Sequence, residues 1–390
     1  MSKQILFIYI DVRDGFSGQV KATELIVEGL EQRGIHCLRG LLPYLDRSGR
    51  SSKWMSVFSF LGQLIKAYAA LLLERVPSGG VIHLSLGLTR FALVRDYFAL
   101  CCASFGSGRT VRKVVALNGS VFSGWSIDSL EARLFRAVIH RCDAVTCVGQ
   151  GHAQLLKGQG IPPEKIEVVP NVCEYDGITE ADCRQKQRAG SRPVELLFLS
   201  SLTDTKGYPE YLEALQLMAN EPGVRIHAVL CGPIMMDAYR KRFSTQEEAE
   251  SWIQKMVAEI NASERVEVEW IPGAQGVAKR ALLGCAQIFV LPTQYPVEAQ
   301  PLVVLEAMAH GCAIVTTDVG ELPSTVDSGS AVILSQPTAA TVRDSIEKLV
   351  QDGAMREQLA LAALRRFYSD FNRQEYLSRW YQLLDGESSV

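Results

Sequence analysis

The 390-residue chain is predicted to be an α/β protein of two doubly wound, parallel-sheet domains. Short apolar runs of strand length alternate with helical patterns along most of the sequence, as in parallel strands joined by helices that cover both faces of a sheet. The alternation comes in two series, separated at residues 171–192 by a polar, irregular stretch rich in Asp, Gly, Gln and Arg. The length exceeds that of one typical domain and suits two or three.

The first series opens with a buried strand from Ile5 to Ile10, ended by Asp11 rather than by a leader-peptide cleavage pattern. A loop holding Gly15 and Gly18 follows, then a helix in which Ala22, Leu25, Ile26, Gly29 and Leu30 share one face before Gly34 stops it. Further short strands are expected at residues 81–84, 111–117, 144–148 and 166–169. The stretch 54–73 is apolar but broken by Gln63 and Lys66, which makes it a poor membrane span. Its Trp- and Phe-rich amphipathic pattern suits a membrane interface or a core helix, and the core helix is the more frequent outcome.

The second series predicts strands at 194–200, 226–230, 266–270, 288–291, 313–317 and 331–334. From Thr338 the pattern is helical to the end, with aromatic residues at helical spacing in 374–384. A composition of 47% hydrophobic and 21% charged residues with net charge −3 is that of a globular protein without a basic field for nucleic acid. Ten cysteines show no Cys-x2-Cys pair and no histidine at metal-ligand spacing, which points to a reduced, intracellular protein with no metal site.

The segment Tyr295-Pro-Val-Glu298-Ala-Gln300-Pro301-Leu302-Val303-Val-Leu-Glu306-Ala-Met-Ala-His310-Gly311 carries the chemistry. Pro301 suits a first helical position and Gly311 the residue past a helix end, while Leu302, Leu305 and Ala309 mark a buried face. Glu306 falls on that face. A carboxylate there needs hydroxyls or amides to satisfy it, and a ribose would supply hydroxyls. Glu298 precedes the helix, whose N-terminus offers the Leu302 and Val303 amides to an anion such as a diphosphate. Lys206, in Ser200-Ser201-Leu-Thr-Asp-Thr-Lys206-Gly207 after another strand, is a cation at a helix entry and is also placed for phosphate. Lys206 and Glu298 sit on different loops and are expected to meet only over a bound ligand.

The Glu298-x7-Glu306 pattern, followed by Ala307-Met-Ala-His-Gly311 and Thr316-Thr317-Asp-Val-Gly320, resembles the retaining glycosyltransferase family 4. The resemblance implies the GT-B fold: two Rossmann-like domains facing a central cleft, with a C-terminal helix crossing back to the first. Residues 1–175 would form the acceptor domain, 190–365 the nucleotide-sugar domain and 366–390 the crossing helix. It implies transfer of a sugar, with retention, from a nucleoside-diphosphate sugar to a glycan or lipid-linked acceptor, in cell-surface polysaccharide assembly. The protein would be cytoplasmic, with peripheral contact to the inner face of a membrane through its first domain, and would not bind nucleic acid.

In that reading Glu298 contacts the sugar and Lys206 the leaving diphosphate, with no metal and no cofactor beyond the donor itself. Ser201, Gln300, Leu302, Val303, Glu306, Pro272 and Gly273 would line the rest of the donor site. Gly15, Gly18 and Asn118 would form a phosphate loop or acceptor side. The chain departs from the family at Ser201, where arginine is usual, at Asn118, where histidine is usual, and at Ala299-Gln300-Pro301, where Gly-Phe-Gly is usual. The losses at Ser201 and Asn118 leave open a catalytically weak or silent nucleotide-sugar-binding protein, and the same fold leaves open a GT-B nucleotide-sugar epimerase. The donor base, sugar, acceptor and linkage are not legible.

Overall fold

The computed structural model describes residues 3–11, 18–43, 53–173, 175–188 and 193–385. Gly15 therefore lies outside the described residues. The chain forms two compact units, Met1–Asn171 with Gln374–Val390, and Val172–Arg373.

In the first unit the strands are β1 (Gln4–Asp11), β2 (His36–Pro43), β3 (Val81–Ser85), β4 (Arg112–Ala116), β5 (Ala144–Cys147) and β6 (Ile166–Val168). They form one parallel sheet in the order β2-β1-β3-β4-β5-β6. Strand β2 is missing from the sequence reading. It lies at the sheet edge, with His36, Arg39 and Leu41 turned outward or only partly covered, so it lacks the continuous apolar run that identifies a central strand. The helix Gly18–Gln32 ends as expected before Gly34, which has φ +78°.

Most of the helix Arg373–Asp385 belongs to this unit. A Cβ at Gly29 would stand 2.7 Å from Leu377 Cδ2, so glycine permits the two helices to approach. The Tyr376 hydroxyl donates to Ala22 O at 3.4 Å, and Trp380 packs edge-on against His83 with ring centroids 5.1 Å apart. His83, on β3, is fully buried between Phe7 and Trp380, and burial pushes its pKa down to about 3. Because the unfolded imidazole titrates near ~6.5, the folded state resists a proton that the unfolded chain accepts. Stability should fall as pH drops from that value toward about 3. Thermal melts across this window should show a weaker pH dependence in His83→Leu, and an unchanged slope would clear His83 of the effect.

The second unit contains β7 (Val194–Leu199), β8 (Ile226–Cys231), β9 (Val266–Ile271), β10 (Ile288–Leu291), β11 (Ala313–Thr317) and β12 (Ala331–Leu334), parallel throughout in the order β12-β11-β10-β7-β8-β9. Tyr208, Tyr211, Leu212, Leu215 and Met218 form the buried face of the helix Tyr208–Ala219, as their spacing predicts. Past β12 the helical stretch is broken twice, at Asp352 and at the extended Asn372, which follows a π-helical turn over Phe367–Phe371. Phe367 and Phe371 sit in the core of this second unit, which keeps the chain there until Arg373.

Candidate functional site

Strand β7 starts the second sheet near its middle. The chain builds outward through β8 and β9, then returns to the other side of β7 with β10. The direction of winding therefore reverses between β7 and β10, and the loops leaving their carboxyl ends diverge there, as at ligand crevices of open α/β sheets. Those loops carry Ser201 and Lys206 on one side, and Thr293, Tyr295 and Glu298 on the other.

The Lys206 loop is held from several directions. Asp204–Lys206 forms one 3-10 turn, and Gly207 reverses the chain at φ +83°. A Cβ on Gly207 would meet Pro292 O, so glycine serves both the backbone angle and the close approach of the two loops. Asp204 accepts from Arg242 N at 2.5 Å and from the Tyr208 hydroxyl at 3.3 Å. Asp237 accepts from Thr205 N at 2.7 Å and from the Thr205 hydroxyl. Burial alone would raise the Asp237 pKa, but these bonds and those from the Tyr239 and Arg240 amides outweigh it and hold the carboxyl below its usual range.

Lys206 Nζ lies 2.5 Å from Glu298 Oε2, and the Thr293 hydroxyl donates to that same oxygen at 3.0 Å. The ammonium also stands 4.8 Å from the centroid of the Tyr295 ring, which meets Tyr239 edge-on at 5.5 Å. The lysine and glutamate side chains are only 16% and 6% exposed. The expectation that Lys206 and Glu298 meet only over a ligand is therefore corrected: they pair directly. Pairing of Leu196 with Ile288 and of Leu197 with Phe289 sets the two loops side by side, and a carboxylate this buried requires a counter-charge.

Glu298 is also fixed from the far side. Its N–H donates to Tyr295 O at 3.0 Å, and Gly320, at φ +61°, has no room for a Cβ because that atom would meet Glu298 O. Gly320→Ala should therefore displace the Glu298 loop and destabilise the fold by about 1–3 kcal/mol. Chemical denaturation of the variant measures this, and wild-type stability would show that the loop gives way freely.

The second glutamate has a partner that the sequence reading did not supply. Glu306 is 4% exposed on the helix Leu302–Ala309, and Lys279 Nζ, from the helix Gly276–Cys285, lies 2.6 Å from its Oε1. The ribose inferred from the burial of Glu306 is thus not needed to explain that burial. Pro301 is the N-cap of the helix and not its first residue, with φ −70° and ψ 120°. The first bond of the helix runs from Val304 N–H to Pro301 O at 3.1 Å, so the Leu302 and Val303 amides precede the intrahelical ladder. His310 caps the C-terminus, its Nδ1 2.8 Å from Glu306 O. Burial lowers its pKa and so favours the neutral ring, and because its partner is a carbonyl oxygen Nδ1 is the nitrogen assigned the hydrogen. Gly311 follows at φ +61°.

The other predicted residues are more scattered. Ser201 is half-buried on the Lys206 loop, where its carbonyl accepts from Thr203 N at 2.9 Å. Gln300 is buried, its amide donating to Thr325 Oγ1 at 3.0 Å. Pro272 and Gly273 are exposed just after β9. Asn118 is half-buried beyond β4, and Gly18 is the first residue of its helix, both in the first unit. Thr293, Tyr295, Asp237 and Lys279 belong to this constellation but were not singled out as ligands by sequence. Only strand order could have found Thr293, as the second residue past β10, and Lys279 gave no local signal. Among the described residues no group of three or more His, Cys, Asp or Glu side chains could hold a metal ion, and all ten cysteines are free thiols.

Two family models match the chain. Residues 180–366 match the model described as glycosyl transferases group 1, and residues 68–175 match that described as glycosyltransferase family 4. The putative colanic acid biosynthesis glycosyltransferase WcaL of Salmonella typhimurium is 25% identical over 280 residues, 68% of this chain and 64% of that protein. The alpha-maltose-1-phosphate synthase of Mycolicibacterium smegmatis is 26% identical over 254 residues, 61% of each. The matched region thus spans a little over three fifths of these relatives. Among solved structures, HepE of Anabaena in complex with UDP and glucose has a TM-score of 0.67 at 16% identity, covering 98% of this chain and 100% of that one. The sucrose-phosphate synthase of Thermosynechococcus elongatus has a TM-score of 0.68 at 17% identity, covering 98% of both chains. With two Rossmann-like sheets, and with consecutive matches to both halves of such an enzyme, the chain belongs to the family 4-type glycosyltransferases of GT-B fold.

Proposed function

We propose that this protein transfers a sugar from a nucleoside-diphosphate sugar to a glycan or lipid-linked acceptor, with retention at the anomeric carbon. The observation that supports it most is the Lys206–Glu298–Thr293 cluster at the point where the second sheet reverses its winding. A cation, a hydroxyl and a carboxylate held together by two rigid loops provide groups for both halves of a donor. Lys206, with the N-terminus of the helix Leu302–Ala309, would neutralise the departing diphosphate, and Glu298 would orient the sugar hydroxyls. Charge placed in advance where the leaving group develops its own is the main source of rate acceleration in such a site. Glu306 would accept from the ribose with the oxygen turned away from Lys279, and the loop at Pro272 and Gly273 would border the base.

Lys206 is already occupied by Glu298, so donor binding is an exchange in which phosphate takes the ammonium and frees the carboxylate for the sugar. With this arrangement Lys206 and the helix N-terminus would neutralise the diphosphate without a metal ion, and transfer should run at an unchanged rate in excess chelator. Dependence on Mg²⁺ or Mn²⁺ would contradict that expectation. UDP is the first base to test, because the HepE structures hold UDP or UDP-glucose. Thermal shift with UDP, GDP, ADP and their sugars, followed by a donor-hydrolysis assay, tests the reading. Stabilisation by one diphosphate and slow hydrolysis of its sugar are expected. Binding without any turnover in the presence of candidate acceptors would favour a silent sugar-nucleotide-binding protein.

The protein would act in the cytoplasm in cell-surface polysaccharide assembly, with its first unit in peripheral contact with the membrane. Among the described residues no helix is long and apolar enough to cross a membrane.

A further inference from the structure

The first unit carries an apolar surface that its own core leaves uncovered. The helix Lys53–Leu73 turns Phe60, Leu64 and Leu71 inward. On its opposite face Phe58, Leu61, Ile65, Leu72 and Leu73 are exposed, Phe58 by 70%, Ile65 by 68% and Leu73 by 81%. Their spacing repeats every three or four residues, so they form one stripe. The helix Arg90–Phe105 repeats the pattern. Ala92, Leu93, Ala99, Leu100 and Ala103 face the core, whereas Phe91, Val94, Phe98 and Phe105 face solvent.

The two helices lie side by side and run in the same direction. Phe60 and Phe91 have ring centroids 5.6 Å apart, the Tyr68 hydroxyl donates to Arg95 O at 3.0 Å, and a Cβ on Gly106 would stand 3.0 Å from Leu72 O. Nine large apolar side chains on neighbouring helices exceed the scatter of single exposed residues that a monomer surface normally carries.

The charges around this surface narrow the choice of partner. Residues 53–73 contain no Asp or Glu, and the only acid in 90–105 is Asp96, which is fully buried and held by Arg95 at 2.7 Å. Lys66 is exposed on the first helix, and Arg75 and Arg109 are exposed just beyond the two helix ends that carry Leu73 and Phe105, with Glu74, half-buried between Leu73 and Arg75, as the one acid beside them. Apolar stripes bordered by cations, on helices that cannot span a bilayer, match the chemistry of an anionic membrane surface. We infer that the paired faces of Lys53–Leu73 and Arg90–Phe105 dock this protein on a bilayer containing anionic lipid. The inference rests on the membrane contact included in the proposed function, and it names the surface and the lipid class.

Flotation of the full-length protein with vesicles tests it. One set is phosphatidylcholine alone and the other is phosphatidylcholine mixed with phosphatidylglycerol. The protein is expected to float with the mixed vesicles, and Ile65→Ser combined with Phe98→Ser should weaken binding at least about tenfold. Both side chains are exposed, so the variant should keep the wild-type melting temperature and nucleotide response. Lys66→Glu should weaken binding to mixed vesicles specifically. Absence of wild-type binding to either vesicle, or equal binding by wild type and the double variant, would overturn the inference. A dimer seen by light scattering that the double variant abolishes, without vesicle binding, would assign the surface to a second copy instead. Nucleotide response without flotation would count against the docking surface alone, and flotation without nucleotide response against the transfer function alone.

Discussion

Lys206→Ala is expected to lower kcat/KM for sugar transfer by about 10²–10³, the usual consequence of removing one preorganised group from a developing negative charge. Bare nucleoside diphosphate should also bind more weakly, because in the proposed site Lys206 would act on the leaving group and not on the sugar. The direct pairing with Glu298 adds a second effect. Without its cation that carboxylate, 6% exposed, loses its counter-charge, and the free protein should lose up to about 3 kcal/mol of stability. Glu298→Gln should behave differently. It removes the group that occupies Lys206 in the free protein, so bare nucleotide should bind as well as in wild type or a few-fold more tightly, while transfer falls by about 10²-fold. The double variant Lys206→Met with Glu298→Gln, which buries no lone charge, should recover stability but not activity. Recovery of both would make the pair a structural clasp.

Glu306→Ala has the next largest expected effect. The sequence pattern alone suggests that this change weakens nucleotide binding and spares the fold. The structure alters the second half of that expectation, because Lys279 lies 2.6 Å from the carboxylate and is itself only 18% exposed. Removing Glu306 should cost about 1–3 kcal/mol in chemical denaturation, as well as about tenfold in nucleotide affinity. Lys279→Met separates the two roles, since it removes the ion pair but keeps the carboxylate for the ribose. If Lys279→Met and Glu306→Ala lower stability alike but neither changes nucleotide affinity, Glu306 is a core ion-pair residue and no part of the site.

What the sequence revealed and what it hid follow from the range of the interactions involved. The central strands of both sheets are buried on both faces and so appear as continuous apolar runs. The edge strand β2, with Arg39 and Gly40 in its middle, does not. The end of the site helix was legible because Gly311 sits at a left-handed position, whereas Pro301 proved one position less helical than its type suggests. Both motif glutamates were recognisable by spacing, but their lysine partners were not. Lys206 is 92 residues from Glu298 and Lys279 is 27 from Glu306, and only the order β10-β7-β8-β9 brings the first pair together. The apolar stretch 54–73 read as a core helix or a membrane interface, and from Phe58 onward the structure shows one face buried in the core and the opposite face exposed, with a second exposed stripe on the following helix that local sequence did not suggest.

The central claim is that the Lys206–Glu298 cluster at the reversal of the second sheet is the donor diphosphate site. Isothermal titration of UDP, GDP and ADP into wild type, Lys206→Ala and Glu298→Gln tests it most directly. The account predicts that wild type binds one of the three, that Lys206→Ala binds it at least about tenfold more weakly, and that Glu298→Gln binds it equally or more tightly. Equal affinity in wild type and Lys206→Ala would contradict the claim.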